Sequence, residues 1–168
     1  VIGPDEQIAS IWQELYQLIR AQTSADGPNP TGKLAGVNDV QKSISLWTGK
    51  APAIGVQLRD VPEMPDSPGR HKISLRFAIV VGASSVETDA RKANLTDAMA
   101  SLVPLLADGN GNGLGPLLRG NFGLNGLAYR TSISSAEFSW SDIEGAGAGV
   151  PIWAYAMYTY VAQTLVTF

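Results

Sequence analysis

Lys72-Ile73-Ser74-Leu75-Arg76-Phe77-Ala78-Ile79-Val80-Val81 is the stretch that decides the fold. Ile73, Leu75, Phe77, Ile79 and Val81 fall on alternate positions, against Lys72, Ser74, Arg76, Ala78 and Val80. Successive side chains of a strand point to opposite faces, so this period of two predicts a half-buried strand. Just upstream, Ile54, Val56 and Leu58 alternate with Gly55, Gln57 and Arg59 in the same way and predict a strand over 53–59. The residues between, Asp60-Val61-Pro62-Glu63-Met64-Pro65-Asp66-Ser67-Pro68-Gly69, are too many and too rich in proline for a tight turn. Two antiparallel strands joined by a protruding loop are therefore expected.

Outward from this pair, the period changes. After Pro4-Asp5, the residues Ile8, Ile11, Trp12, Leu15, Leu18 and Ile19 recur at spacings of three and four, which places them on one helical stripe. Asp5 suits the N-cap of that helix, and the polar loop from Thr23 to Gly32 ends it near Gln22. A short helix from Asp39 is read from Val40, Ile44 and Trp47. A second main helix starts near Thr88-Asp89 and carries Leu95, Ala98, Met99, Leu102 and Leu106, with Pro104 bending or ending its last turn. Seven glycines between Gly109 and Gly126 then predict a loop with little structure of its own, whose part from Gly109 to Gly115 is expendable for the fold.

Tyr129 to Trp140 reads as a third strand whose apolar phase shifts from odd positions (Tyr129, Ile133) to even ones (Ala136, Phe138, Trp140), which suggests a bulge or a handover between buried faces. After Gly145-Ala146-Gly147-Ala148-Gly149, the last strand runs from Ile152 to about Gln163. Trp153, Tyr155, Met157 and Val161 lie on one of its faces, Ile152, Tyr158 and Tyr160 on the other, so both faces call for cover: helices on one, another subunit as a candidate for the other. The expected architecture is a single α+β domain over 1–168. It has a mostly antiparallel sheet of about four main strands and two main helices on one face, in the order α-β-β-α-β-β.

Bulk composition narrows the function classes. The 168 residues are 45% hydrophobic and 16% charged, as in a globular chain able to bury a core. Twelve basic against 15 acidic residues give a net charge of −3, without the clustered cations that neutralise phosphates, so no sequence-specific nucleic-acid role is expected. No cysteine is present, which removes disulfides, thiolate metal sites and cysteine nucleophiles. The longest apolar run, Phe77 to Val81, is too short for a bilayer, and no basic stretch followed by an apolar one opens the sequence. The reading is a soluble product made in the cytoplasm, with no membrane partner.

Candidate chemistry is sparse. Asp108-Gly109-Asn110-Gly111-Asn112-Gly113 matches the start of a calcium loop, but the twelfth position, where a bidentate Glu belongs, is Arg119. The same glycines follow a helix and not a strand, unlike a dinucleotide-binding turn. His71 is the only histidine and stands at a loop-to-strand junction, with no G-x-S-x-G elbow in the chain. Glu137 with Asp142 or Glu144 is a carboxylate set that sequence alone cannot place around a sugar. Asn94-Leu95-Thr96 has the glycosylation pattern but is read as mid-helix. The series Trp153, Tyr155, Tyr158 and Tyr160 suits sheet core or a subunit interface better than stacking of sugars or bases. No catalytic residue, cofactor or metal is expected.

The order of elements, the long loop between the first two strands, the Ala53-Ile54-Gly55-Val56-Gln57 strand after a helical lead-in and the aromatic last strand together resemble the tail terminator (tail completion) proteins of long-tailed bacteriophages. The resemblance spans nearly the whole chain and is one of architecture. It implies a structural virion protein, assembled in the host cytoplasm and located at the tail end or neck. Such a protein forms a homo-hexameric ring, stops growth of the tail tube and meets a head-side connector. Its partners would be further copies, the tail tube protein and the connector or neck protein. Glu63, Asp66, Arg70, Arg119, Asn121 and Asn125, in the two long loops, are the candidate assembly contacts. Another neck or head-to-tail joining protein is the alternative within that class. From a different class, a small carbohydrate-binding or hydrolytic domain remains open.

Overall fold

A ladder between two long strands organises the molecule. In the computed structural model, which describes residues 3–44, 51–62, 68–86, 93–141 and 152–167, the stretch 72–81 lies inside β3 (Arg70–Ser85). This strand pairs antiparallel with β6 (Ile152–Thr167) in unbroken register, from Arg70 opposite Thr167 to Ser85 opposite Ile152. At about 3.4 Å per residue the ladder is roughly 50 Å long. The other elements are α1 (Pro4–Arg20), β1 (Asp39–Gln41), β2 (Ala53–Asp60), α2 (Leu95–Leu106), α3 (Leu114–Arg119), β4 (Arg130–Ile133) and β5 (Glu137–Ser141).

The described residues thus form an α+β fold with a six-stranded mixed sheet and three helices. The strand order is β1-β2-β3-β6-β4, and β5 joins the same outer side of β6 as β4. β2 and β3 are antiparallel, as expected of two successive strands joined by a loop. Ile73, Leu75, Phe77, Ile79 and Val81 are buried on the helix-covered face, where Leu75 faces Ala162, Phe77 faces Tyr160 and Ile79 faces Tyr158. Removing each such large side chain from water contributes about 1.5–3 kcal/mol. Ile11, Leu15 and Ile19 of α1, Ala98, Leu102 and Leu106 of α2, and Leu114, Leu117 and Leu118 of α3 complete that core. The Trp12 and Phe77 rings meet in an edge-to-face arrangement, with ring centroids 6.4 Å apart.

Several expectations change. Asp5 is not the cap of α1: Gly3 holds that position, Pro4 is the first helical residue, and Asp5 and Glu6 complement the helix dipole from the first turn. The short helix expected from Asp39 is instead β1, parallel to β2 with Val40 opposite Ile54, which makes the sheet mixed. The backbone groups of β2 on that side need partners, and a strand supplies them where a helical turn cannot. Trp47, on which that helix reading also rested, lies outside the described residues.

Asn94 caps α2 rather than sitting inside it. Its Oδ1 accepts from the Asp97 backbone N–H at 2.9 Å and its Nδ2 donates to the Asp97 carboxylate at 2.8 Å. The expected start at Thr88-Asp89 falls outside the described residues. Pro104 stands inside α2, which continues to Leu106.

The glycine-rich segment is more ordered than a loop. It contains α3, with Leu114, Gly115, Leu117 and Leu118 buried. Gly113, at φ 107°, turns the chain into this helix and donates its N–H to the Lys33 carbonyl. A Cβ on Gly113 would lie 2.6 Å from the Leu106 carbonyl oxygen, and deleting Gly109 to Gly115 would take buried Leu114 and Gly115 out of α3, against the expectation that the fold spares this segment. Six helical residues are too few for a period to show among so many glycines.

The expected third strand is two short ones. Ile133 faces Tyr160 and Glu137 faces Met157, so three residues, 134–136, stand opposite two, 158–159. That extra residue is the bulge announced by the change of apolar phase. The Ser134 N–H donates to the Thr159 carbonyl, and the Ser134 hydroxyl accepts from the Thr159 N–H at 2.9 Å, which holds the bulge to β6. The turn expected at Gly145–Gly149 lies outside the described residues, and β6 itself continues past Gln163 to Thr167.

Candidate functional site: the helix-free face and the outer edge of the sheet

β6 is apolar on both faces, but the two are covered differently. Ala154, Ala156, Tyr158, Tyr160 and Ala162 are buried beneath the helices, whereas Trp153, Tyr155, Met157 and Val161 are only half-buried on the opposite face, which is helix-free among the described residues. On that face Trp153 and Tyr155 stack at 5.9 Å with a 4° angle between rings. They lie over Gly82 of β3, where a Cβ would approach the indole to 3.2 Å. Residues 43–44 cross the same face at Gly55. A cavity of about 480 Å³ lies between Ile44, Val80, Tyr155 and Met157 and the β5 residues Glu137, Phe138 and Ser139.

Toward the other end of the same face the chemistry becomes charged. Arg76 donates through Nε to the Asp60 carboxylate at 2.7 Å, closing a polar hollow of about 240 Å³ with Arg59 and Thr159. That hydrogen bond holds the Asp60 carboxyl below the usual carboxylate range and raises the Arg76 guanidinium. Both groups are well exposed, so their pairing adds little to stability.

The outer strands carry aromatic groups into solvent. Phe138 and Trp140 of β5 face the same way as Ala156 and Ala154 of β6, yet they remain 46% and 55% exposed. Next to β4, a largely apolar hollow of about 280 Å³ is lined by Leu118, Phe122, Ile133 and Tyr160, with Arg119 at its side. Burial pushes the Tyr160 hydroxyl up to about 12, and a nearby Thr131 draws it slightly back. Thr131 does not meet hydrogen-bond geometry, so the Tyr160 hydroxyl has no partner among the described residues. Burial likewise raises the Tyr158 hydroxyl, opposed by the charge of Arg119.

The candidate assembly residues do not form one site. Glu63 and Asp66 lie outside the described residues. Arg70 is exposed at the first position of β3, opposite Thr167. Arg119, Asn121 and Asn125 belong to α3 and the turn after it. Asn121 Nδ2 donates to the Leu117 carbonyl at 2.7 Å, and Asn125, at φ 56°, donates to the Glu14 carboxylate. Both asparagines therefore hold the turn in shape, while Arg70 and Arg119 present exposed cations.

The Asp108 loop is closed by its own donors. The Asp108 carboxylate accepts from the Asn110 and Asn112 backbone N–H groups at 2.7 and 3.2 Å and from Asn112 Nδ2 at 2.8 Å. These bonds, led by the Asn112 side chain, depress its pKa. Lys33 Nζ donates to the Gly111 carbonyl at 2.7 Å, which puts a cation where a calcium ion would need oxygens. Among the described residues no group of three or more His, Cys, Asp or Glu side chains is placed to hold a metal ion, and no helix is long and apolar enough to cross a membrane.

Sequence reading missed Gln7. This buried side chain donates to the Leu127 carbonyl at 2.9 Å and to the Thr164 hydroxyl at 2.8 Å, tying α1 to the end of the glycine-rich segment and to β6. The signal was its position, four residues before Ile11 on the buried stripe of α1.

The fold and this surface define an α+β protein whose sheet, among the described residues, is covered by helices on one side and half-exposed on the other. Comparison with protein-family models and with curated proteins finds no match.

Proposed function

We propose that this chain is a structural virion protein that caps the end of a phage tail tube, ends its polymerisation and offers a surface for head-to-tail joining. The observation that carries the reading is the half-exposed apolar face of β6, where Trp153, Tyr155, Met157 and Val161 have no helix over them among the described residues. Burying such a face against a neighbour is favourable, and repeating a heterologous contact around an axis closes a ring. In this reading the partners are further copies in a hexameric ring, the tail tube protein and the head-side connector. Arg70 and Arg119 remain as exposed polar contacts. No catalytic step and no cofactor enter it.

The test combines negative-stain imaging of the purified chain with a tube-assembly assay that uses a tail tube protein from the same genome. Six-fold rings and tubes that stop growing when the chain is added are expected. Tubes that elongate unchanged with the chain bound nowhere on them overturn the reading. The cavity that brings Glu137 to Tyr155 favours one second reading, a carbohydrate-binding domain. A monomer retained on immobilised glycans, and released by Tyr155→Ala, would select it.

A further inference from the structure

The two ends of the sheet are not equivalent as backbone surfaces. β1 is three residues long, and its central carbonyl, Val40, already accepts from the Tyr16 hydroxyl at 3.4 Å and from Arg20 Nη1 at 3.3 Å. At the opposite end nothing among the described residues pairs with the outer side of β5. A strand edge is a template for another strand, and proteins usually guard it with lysine, proline or a covering element. Glu137-Phe138-Ser139-Trp140-Ser141 has neither lysine nor proline and exposes two aromatic side chains on one face.

We infer that β5 pairs antiparallel with β5 of a second copy about a two-fold axis through Ser139, joining the two sheets into one. The register follows from self-complementarity. Centring on Ser139 sets Phe138 opposite Trp140 of the second copy and Trp140 opposite its Phe138, two cross-strand aromatic pairs of the kind that stabilise sheets. Each Glu137 then falls opposite position 141, and the two carboxylate-bearing positions lie on the order of 13 Å apart along the strand, beyond the screening length in physiological salt. Centring on Glu137 instead would set the two carboxylates face to face. The bulge at 134–136 ends the pairing before β4, which confines it to the five residues of β5. Because β1 is occupied, the sheet cannot continue head to tail, so the contact closes at two copies.

This inference does not depend on the tail-end reading, which places ring contacts on the helix-free face. The chain contains no cysteine, so Ser139→Cys provides a single thiol. Mild oxidation of this variant should give a covalent dimer, while a control thiol at exposed Asn110, Asn110→Cys, should give only background. Adding Phe138→Lys and Trp140→Lys should abolish the cross-link and raise the dimer dissociation constant by at least about tenfold, read by sedimentation with circular dichroism as the check on folding. Cross-linking of Ser139→Cys no better than that of the control overturns the inference. So does a dimer unaffected by the two lysines in a folded variant. Weakening of ring or tube contacts by Met157→Asp, with the cross-link intact, separates the two proposals.

Discussion

The edge at β1 and the edge at β5 are finished in opposite ways. At β1 the helix that covers the core also reaches over the rim: Tyr16 and Arg20 occupy the Val40 carbonyl, and Trp12 Nε1 donates to the Val56 carbonyl of β2 at 3.0 Å. One helix thus uses its buried stripe for packing and its flank for closing a strand edge. At β5 the helices leave Phe138 and Trp140 uncovered, and the strand gains its order from β6 alone among the described residues. Pairing groups were satisfied internally where the strand is short and were left available where aromatic side chains accompany them. The difference assigns a structural role to one end of the sheet and an associative role to the other.

The largest effect is expected at the closed end. A Cβ on Gly55 would lie 2.4 Å from the Ser43 carbonyl oxygen, a backbone atom that cannot move aside without taking the chain after β1 with it. Gly55→Val should therefore cost about 3 kcal/mol in chemical denaturation, at the upper end of overpacking penalties, and should loosen β1 while the β5–β6 pairing persists. Hydrogen exchange that slows or stays equal at Gln41, the neighbour of Val40 that faces β2, in this variant would break the distinction between the two edges.

How much of this was legible in the sequence depended on the length of each pattern. β3 supplies ten alternating residues and α1 six apolar positions at helical spacing, and both elements stand where they were expected. The bulge was legible because it reverses the parity of large residues between Ile133 and Phe138. β1 was not: three residues cannot show a period, and Val40 with Ile44 imitates a helical pair although Ile44 lies over the far face of the sheet. α3 was hidden by the glycines on either side of it. Of the candidate surface, the two-sided apolar character of β6 could be read directly, but the exposure of Phe138 and Trp140 could not. A strand pattern does not say where the covering helices stop.

A smaller effect is expected from opening the closed edge. Tyr16→Phe with Arg20→Ala removes both donors to Val40 while sparing Ile11, Leu15 and Ile19, the buried stripe of α1. The loss should be about 1–2 kcal/mol, the scale of two partly exposed hydrogen bonds. Because an unguarded edge accepts another strand, the variant should also form species larger than a dimer in sedimentation, using both ends of the sheet. Unchanged association at the same stability loss would mean that the shortness of β1 alone protects it.

The smallest effect is a titration that reports on the same closure. Arg20 is held toward Val40 partly by Asp26, to whose carboxylate its Nε and Nη2 donate at 3.0 and 2.6 Å. The hydrogen bond from Arg20 is the main cause of the lowered Asp26 pKa, and the guanidinium is raised in return, so it stays charged at any pH where the protein folds. With the folded carboxyl below its unfolded value of about 3.9, the pairing stabilises the fold above that pH and its contribution disappears as pH falls through the folded pKa. Asp26 is exposed, so the change in stability should be slight, and the informative reading is the chemical shift of its carboxyl carbon. Its midpoint should lie below 3.9 in the parent chain and return toward that value in Arg20→Ala. A midpoint that Arg20→Ala leaves in place would show that Asp26 does not hold the guanidinium, and the closure of β1 would then rest on Tyr16.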